Sequence, residues 1–266
     1  MSQHVKVEQG GALGRGLEFT GAANNTGNIV GRPSNFNQIV WYDDFTGKAI
    51  DTTNDYTVAG VNSGACTITV PHCLTLTTGA ADDDDVDFAM GIEFYGQYNA
   101  CLEARFRIDD VDKCGMNIGF ADATGYAADL IAMTGNGTAI ITTAANFAGF
   151  CADVDFTTKN LYGVSVNAGS DGAIINSAST PTDAKWYTVR VELRDRMLSG
   201  TSYADAIFYV NTAGKEINPA KDMIGMEAVA VARTTALCPY IALINHGEDA
   251  ANTLDVDYIK VWSNRQ

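Results

Sequence analysis

The sequence predicts an all-β fold, a two-sheet antiparallel sandwich preceded by an extended arm. Three observations predict it: several segments alternate apolar and polar residues with period two, clusters of Gly, Asn, Asp and Ser separate them, and no long helical pattern appears. A sheet with one apolar face must bury it against another layer, so many short strands joined by turns imply two sheets packed face to face.

In chain order, residues 1–39 differ from the rest. They carry seven of the 26 glycines in the first forty positions and little alternation, and polar stretches such as Ala22 to Asn28 read as an extended Gly-rich arm. Such an arm is either a loop packed on its own domain or an anchor laid over a neighbouring subunit. Residues 40–266 form the sandwich domain. Cys66 to Val70 and Leu74 to Thr77 alternate with threonine outside, and Pro71 between them marks an edge, a bulge or a turn. In Ala100 to Ile108 the even positions are apolar, whereas Glu103, Arg105 and Arg107 fall on the other face. Trp186 to Leu193 places Tyr187, Val189, Val191 and Leu193 on one face and Thr188, Arg190 and Glu192 on the other. Further strands are expected at Met116 to Phe120, Ala139 to Thr143, Tyr162 to Val166, Ala206 to Val210, Tyr240 to Ile244 and Val256 to Trp262.

Composition excludes several classes of function. With 17 Lys and Arg against 32 Asp and Glu, the net charge of -15 disfavours phosphate backbones and anionic lipid, so neither nucleic acid nor membrane is an expected partner. No apolar run approaches the roughly 20 residues of a membrane helix. The segment Met1 to Glu8 lacks the basic start and apolar stretch of a secretory signal, so synthesis in a cytoplasm is expected. Cys66, Cys73, Cys101, Cys114, Cys151 and Cys238 are scattered without zinc-site spacing and read as small core residues.

Catalytic machinery, cofactors and metal are not expected. The three histidines are His4, His72 and His246, none in a metalloprotease motif. His72 has the inward phase of a hydrogen-bonded core residue, and His246 reads as a loop residue. No G-x-S-x-G elbow occurs. Gly135 to Gly137 and Gly169 to Gly172 read as hairpin turns rather than phosphate loops, because no helix follows them. Asp82 to Asp85 with Asp87, and Asp109, Asp110 and Asp112, could supply oxygen ligands to calcium but lack the spacing of a helix-loop-helix calcium loop; both read as solvated turns.

Val40 to Gly47, Tyr95 to Arg105 and Leu254 to Trp262, in that order, resemble landmarks of the concanavalin A-like lectin/glucanase superfamily. The resemblance implies a jelly roll of two curved antiparallel sheets. Its laminarinase-type enzymes carry a Glu-x-Asp-x-(x)-Glu strand, since retaining hydrolysis needs two carboxyl groups about 5–5.5 Å apart. This chain has eight Glu, at 8, 18, 93, 103, 192, 216, 227 and 248, and none begins such a string. Gly119 to Tyr126 stands where the enzyme strand is expected. Leu74 to Asp84, Ile108 to Lys113, Ile118 to Asp122, Asp183 to Glu192 and Pro239 to Gly247 are similar to jelly-roll virion proteins of tailed bacteriophages.

That resemblance implies a non-enzymatic virion protein: a capsid decoration or cement protein that binds the major capsid protein or other virion proteins, stabilises the head and forms a homo-oligomer, a trimer or dimer. The alternative is a carbohydrate-binding module of a tail or fibre protein, with Tyr126, Tyr162 and Trp186 as candidate platforms for a surface glycan.

Overall fold

The computed structural model describes residues 38–47, 49–60, 64–69, 72–91, 94–127, 129–196, 202–247 and 250–264. The arm of residues 1–39 therefore falls outside the described residues except for its last two, which open the first strand. The strands, in chain order, are β1 (Gln38–Asp43), β2 (Tyr56–Gly60), β3 (Ala65–Thr69), β4 (Cys73–Thr77), β5 (Asp85–Met90), β6 (Cys101–Ile108), β7 (Cys114–Ala121), β8 (Met133–Asn136), β9 (Ala139–Thr142), β10 (Phe147–Asp153), β11 (Tyr162–Asn167), β12 (Ser170–Asp171), β13 (Ile175–Asn176), β14 (Tyr187–Asp195), β15 (Tyr203–Asn211), β16 (Met223–Ala232), β17 (Cys238–Asn245) and β18 (Thr253–Asn264).

Apart from β8 and β9, which pair with each other, they form two antiparallel sheets. The first runs β16-β15-β14-β6-β18-β4-β3 with β1 also on β18, and the second runs β12-β11-β10-β7-β17-β5-β2 with β13 also on β11. Between them lies one core, built from the faces that alternation predicts: Leu102, Ala104, Phe106 and Ile108 of β6 and Tyr187, Val189, Val191 and Leu193 of β14 meet Met116, Ile118 and Phe120 of β7 and Ile241 and Leu243 of β17. A hairpin stands near each expected turn, but the turns are displaced: Gly135 and Asn136 belong to β8, and Ser170 and Asp171 form β12. Asn136 pairs with Ala139 and Asn167 with Ser170, leaving the two-residue turns Gly137-Thr138 and Ala168-Gly169. Ala168 and Gly169 both have positive φ, the backbone that lets so tight a turn follow the strand twist.

Two expectations about side-chain placement fail. His72 is exposed, not a core residue: Thr69 pairs with Cys73, so His72 falls outside the β3–β4 ladder, and the alternation phase does not carry past the end of a strand. Nor is the outer face of the first sheet uniformly wet. Thr188 and Glu103 are fully buried and Arg190 is 3% exposed. Register places Tyr209, Arg190, Glu103, Lys260 and Tyr42 in one row across β15, β14, β6, β18 and β1. Arg190 Nε donates to Glu103 Oε2 at 2.8 Å, and the Tyr258 hydroxyl donates to Glu103 Oε1 at 2.8 Å. Burial pushes the Lys260 ammonium down to about 8, against the pull of Glu103. The β15–β16 connection lies over part of this face, where Ile217 packs on Ile207 and Tyr209. Before that it passes Trp186 at Gly214, φ +61, where a Cβ would stand 2.6 Å from the Trp186 Cβ.

Removing one member of a buried ion pair leaves the other desolvated and uncompensated. Arg190→Met is expected to cost about 3–5 kcal/mol in chemical denaturation, and Glu103→Gln in the same chain to recover much of it.

Candidate functional site

The outer face of the second sheet is where the sequence expectation departs furthest from the structure. Alternate residues of β10 (Ala148, Phe150, Ala152) enter the sandwich core, so Phe147, Gly149, Cys151 and Asp153 point outward, yet every residue of β10, β7 and β17 is buried. A sheet dry on both faces needs a third layer. Here it is the segment from Tyr126 to Ala144, including the β8–β9 hairpin: Ile131, Ala132, Met133, Ile140 and Ala144 form a second core with Phe147, Cys151, Val164, Val166, Cys238, Tyr240 and Ala242.

A covering segment that does not extend the sheet must satisfy its backbone N–H groups elsewhere. The sheet's outer face supplies the acceptors. Asn117 Oδ1 accepts from Met133 N at 2.9 Å, Asp153 Oδ2 from Gly135 N at 2.8 Å, Asp87 Oδ2 from Tyr126 N at 3.0 Å and Asp85 Oδ1 from Asp129 N at 3.2 Å. Tyr240 donates its hydroxyl to Asp87 and receives Ala132 N at 3.3 Å. The expected solvated turn from Asp82 to Asp87 is therefore corrected: Asp82 and Asp83 are exposed, whereas Asp84 and Asp85 are 1% exposed and Asp87 is fully buried. The reason is tertiary, because β5 lies inside the sheet and its outward carboxylates anchor the covering layer. Burial pushes Asp87 up to about 7, against its bonds from Tyr240 and Tyr126, and burial likewise raises Asp85 to about 6. The second acidic group, Asp109 to Asp112, is the β6–β7 turn that the sequence suggests, with Asp110 Oδ1 accepting from Asp112 N at 3.0 Å.

At one end of the second sheet three loops bring charged groups together. His246 follows β17, Asp153 and Asp155 end β10, and Asp82 and Asp83 lie in the β4–β5 connection. His246 Nε2 stands 3.4 Å from Asp153 Oδ1, and its Nδ1 stands 3.7 Å from Asp83 and 3.9 Å from Asp155. Burial opposes charge on this imidazole, but the surrounding Asp153, Asp155 and Asp83 carboxylates outweigh it and raise its pKa. Asp153 fits because its neighbours are glycines; a Cβ on Gly115 would lie 2.6 Å from its Oδ2. Sequence reasoning missed this cluster, whose members lie far apart in the chain. The Asp-Val-Asp spacing at 153–155 and the isolated His246 were the only local signals.

The expected glycan platforms are not free. Tyr162 is 8% exposed and packs on Phe156, and Tyr126 packs edge-on against Tyr240 with its hydroxyl donating to Asp122 at 3.2 Å. Trp186 is half-buried on the outer face of the first sheet, with the guanidinium groups of Arg105 and Arg107 4.5 and 4.8 Å from its ring centre. Beside the hairpin, a depression of about 130 Å³ lined by Gly137, Phe156, Tyr162 and Ile174 is smaller than the roughly 300 Å³ of small-molecule sites. Among the described outward positions of β7 and β10, Asp153 is the one carboxylate.

No family model and no curated protein matches the chain. Solved structures do. One belongs to work on the endo-acting O-glycanases that members of the human gut microbiota express to initiate mucin breakdown; it superposes with TM-score 0.55 at 12% identity, over 85% of this chain and 99% of that one. Rv0315 of Mycobacterium tuberculosis, an immunostimulatory antigen and pseudo beta-1,3-glucanase, superposes with TM-score 0.54 at 11% identity, over 85% and 98%. The carbohydrate recognition domain of Emp47p gives 0.51 at 10%, over 84% and 94%. The chain has the concanavalin A-like jelly-roll fold.

Asp87 predicts a pH dependence. With its folded pKa raised above the ordinary carboxylate value, the folded state holds a proton that the unfolded chain has released, so its contribution to stability is greatest at low pH and declines from about pH 4 to about pH 7. The loss is on the order of 3 kcal/mol. Thermal unfolding followed from pH 5 to pH 8 should show a falling midpoint in the wild type and a flatter profile in Asp87→Asn.

Proposed function

We propose that this protein is a non-catalytic structural component of a tailed-phage virion, a decoration protein that binds the assembled head and stabilises it. The observation that carries the reading is the covered outer face of the second sheet. Glycan hydrolysis needs an open groove with two carboxyl groups about 5–10 Å apart, whereas this face is filled by the β8–β9 layer, Asp153 is the one carboxylate among the described outward positions of β7 and β10, and Asp85 and Asp87 of β5 are held under the covering segment by its backbone N–H groups. A scaffold whose outer layers are themselves packed is suited to contact through its surface. The net charge of -15 favours solubility before assembly, and the edge strand β16 exposes Met223, Met226 and Val229 as apolar contact residues. A ligand of the assembled state alone stabilises that state by mass action.

The carbohydrate-module reading is weaker on these contacts. It would use Tyr126, Tyr162 and Trp186, and each already has a partner within the protein.

Particles produced with and without the gene for this chain provide the test. Those lacking it should lose their genomes at a lower temperature and regain resistance when purified protein is added, with saturable binding to the heads. Complete, equally heat-stable particles that bind no added protein would overturn the proposal. No reducing sugar should be released from β-glucans, and a glycan array should show no binding.

A further inference from the structure

We infer that His246, Asp153 and Asp155 form a site for one divalent transition-metal cation of the zinc or manganese type. Three observations meet there. First, the oxygen and nitrogen atoms of these residues lie within 4.8 Å of one another, as do those of Asp82, Asp83 and His246. Second, the His246 side chain is only 10% exposed, and its buried Nε2 has no hydrogen-bond partner although it faces Asp153 Oδ1 at 3.4 Å. Two ligands of a tetrahedral ion with bonds of about 2.1 Å stand about 3.4 Å apart, so this pair has the separation of co-ligands and lacks the alignment of a hydrogen bond. Third, the Asp153 side chain is fully buried and accepts only backbone N–H groups, from Gly135 and Asp155, while His246 is the sole basic side chain within 4 Å of it among the described residues. A buried carboxylate needs a cationic partner, which is the His246 imidazolium in the absence of metal and the bound ion once that imidazole is neutral.

The ligand chemistry narrows the ion. An imidazole nitrogen with two carboxylates suits zinc or manganese, whereas calcium takes six to eight oxygens. With the ion on Nε2 beside Asp153, both Asp83 and Asp155 have Nδ1 as their nearer ring nitrogen, at 3.7 and 3.9 Å; Asp83 stands where a carboxylate orients a metal-bound imidazole, and the Asp155 side chain would turn past the ring edge to reach the ion. Asp155 is more than half exposed, which leaves the site an approach from solvent. The bound ion would fasten the end of β10 to the end of β17, with the β4–β5 turn behind the imidazole. This inference is independent of the virion reading.

Tag-free full-length protein, dialysed against chelator, is titrated with ZnCl2, MnCl2 and CaCl2 by calorimetry and by thermal unfolding. One equivalent of zinc or manganese should bind and, at about a hundredfold excess over Kd, raise the midpoint by about 5 °C or more. His246→Gln and Asp155→Asn should each weaken binding at least tenfold. Asp155 is exposed, so Asp155→Asn keeps the test valid if His246→Gln fails to fold; Asp153 is left intact because it holds two backbone N–H groups. The inference is overturned if neither zinc nor manganese binds below millimolar concentration. Undiminished binding in the folded variants, or calcium binding that His246→Gln leaves unchanged, would overturn it equally.

Discussion

A β-sheet that is dry on both faces obliges whatever covers it to find hydrogen-bond partners for its own backbone, because an unpaired buried N–H costs on the order of 1–3 kcal/mol. That constraint organises the second sheet. The segment over it is held by Asn117, Asp153, Asp87, Asp85 and Tyr240, all projecting from strands whose other faces fill the sandwich core. Apolar contacts around Phe147, Cys151 and Ile140 supply the burial, and these acceptors make it tolerable to the covering backbone.

The same constraint produces the charged chemistry. Asp87 is buried because Tyr126 and Tyr240 need an acceptor there, and its raised pKa follows from that burial. Asp153 serves the hairpin with one oxygen, at Gly135, and turns the other toward Asp155 and His246. A residue recruited to close a layer thereby becomes the anchor of a carboxylate–histidine cluster. The first sheet solves a different problem, with Glu103 between Arg190 and Lys260 in one cross-strand row. Ion pairs of this kind cost desolvation and reward correct register, since a one-residue slip would turn the whole row into the core.

Much of the architecture is legible in local sequence. Period-two alternation identifies β6 and β14 and assigns their core faces, and the Gly-Asn-Gly and Gly-Ser-Asp-Gly strings mark two of the hairpins. Strands β5 and β10 escape the same reading. Phe147 to Ala152 places apolar or small residues on both faces, because both faces are buried, and a continuous run carries no period; in Asp85 to Met90 the outward Asp85 and Asp87 continue the acidic run that reads as a solvated turn. The candidate metal cluster escapes for another reason, since Asp153 and Asp155 end β10 whereas His246 follows β17, and the two strands are neighbours only through β7 between them.

The sequence by itself determined the class of fold, the principal core faces, the hairpin turns and the lack of a paired-carboxylate motif, because each is written in residues near one another in the chain. Only the tertiary structure decided that the outer face of the second sheet is filled, that Asp87 and Glu103 are buried rather than solvated, and that His246 meets Asp153. Those outcomes depend on which distant segments lie against a strand, and burial by a third layer leaves no periodic mark on the strand it covers.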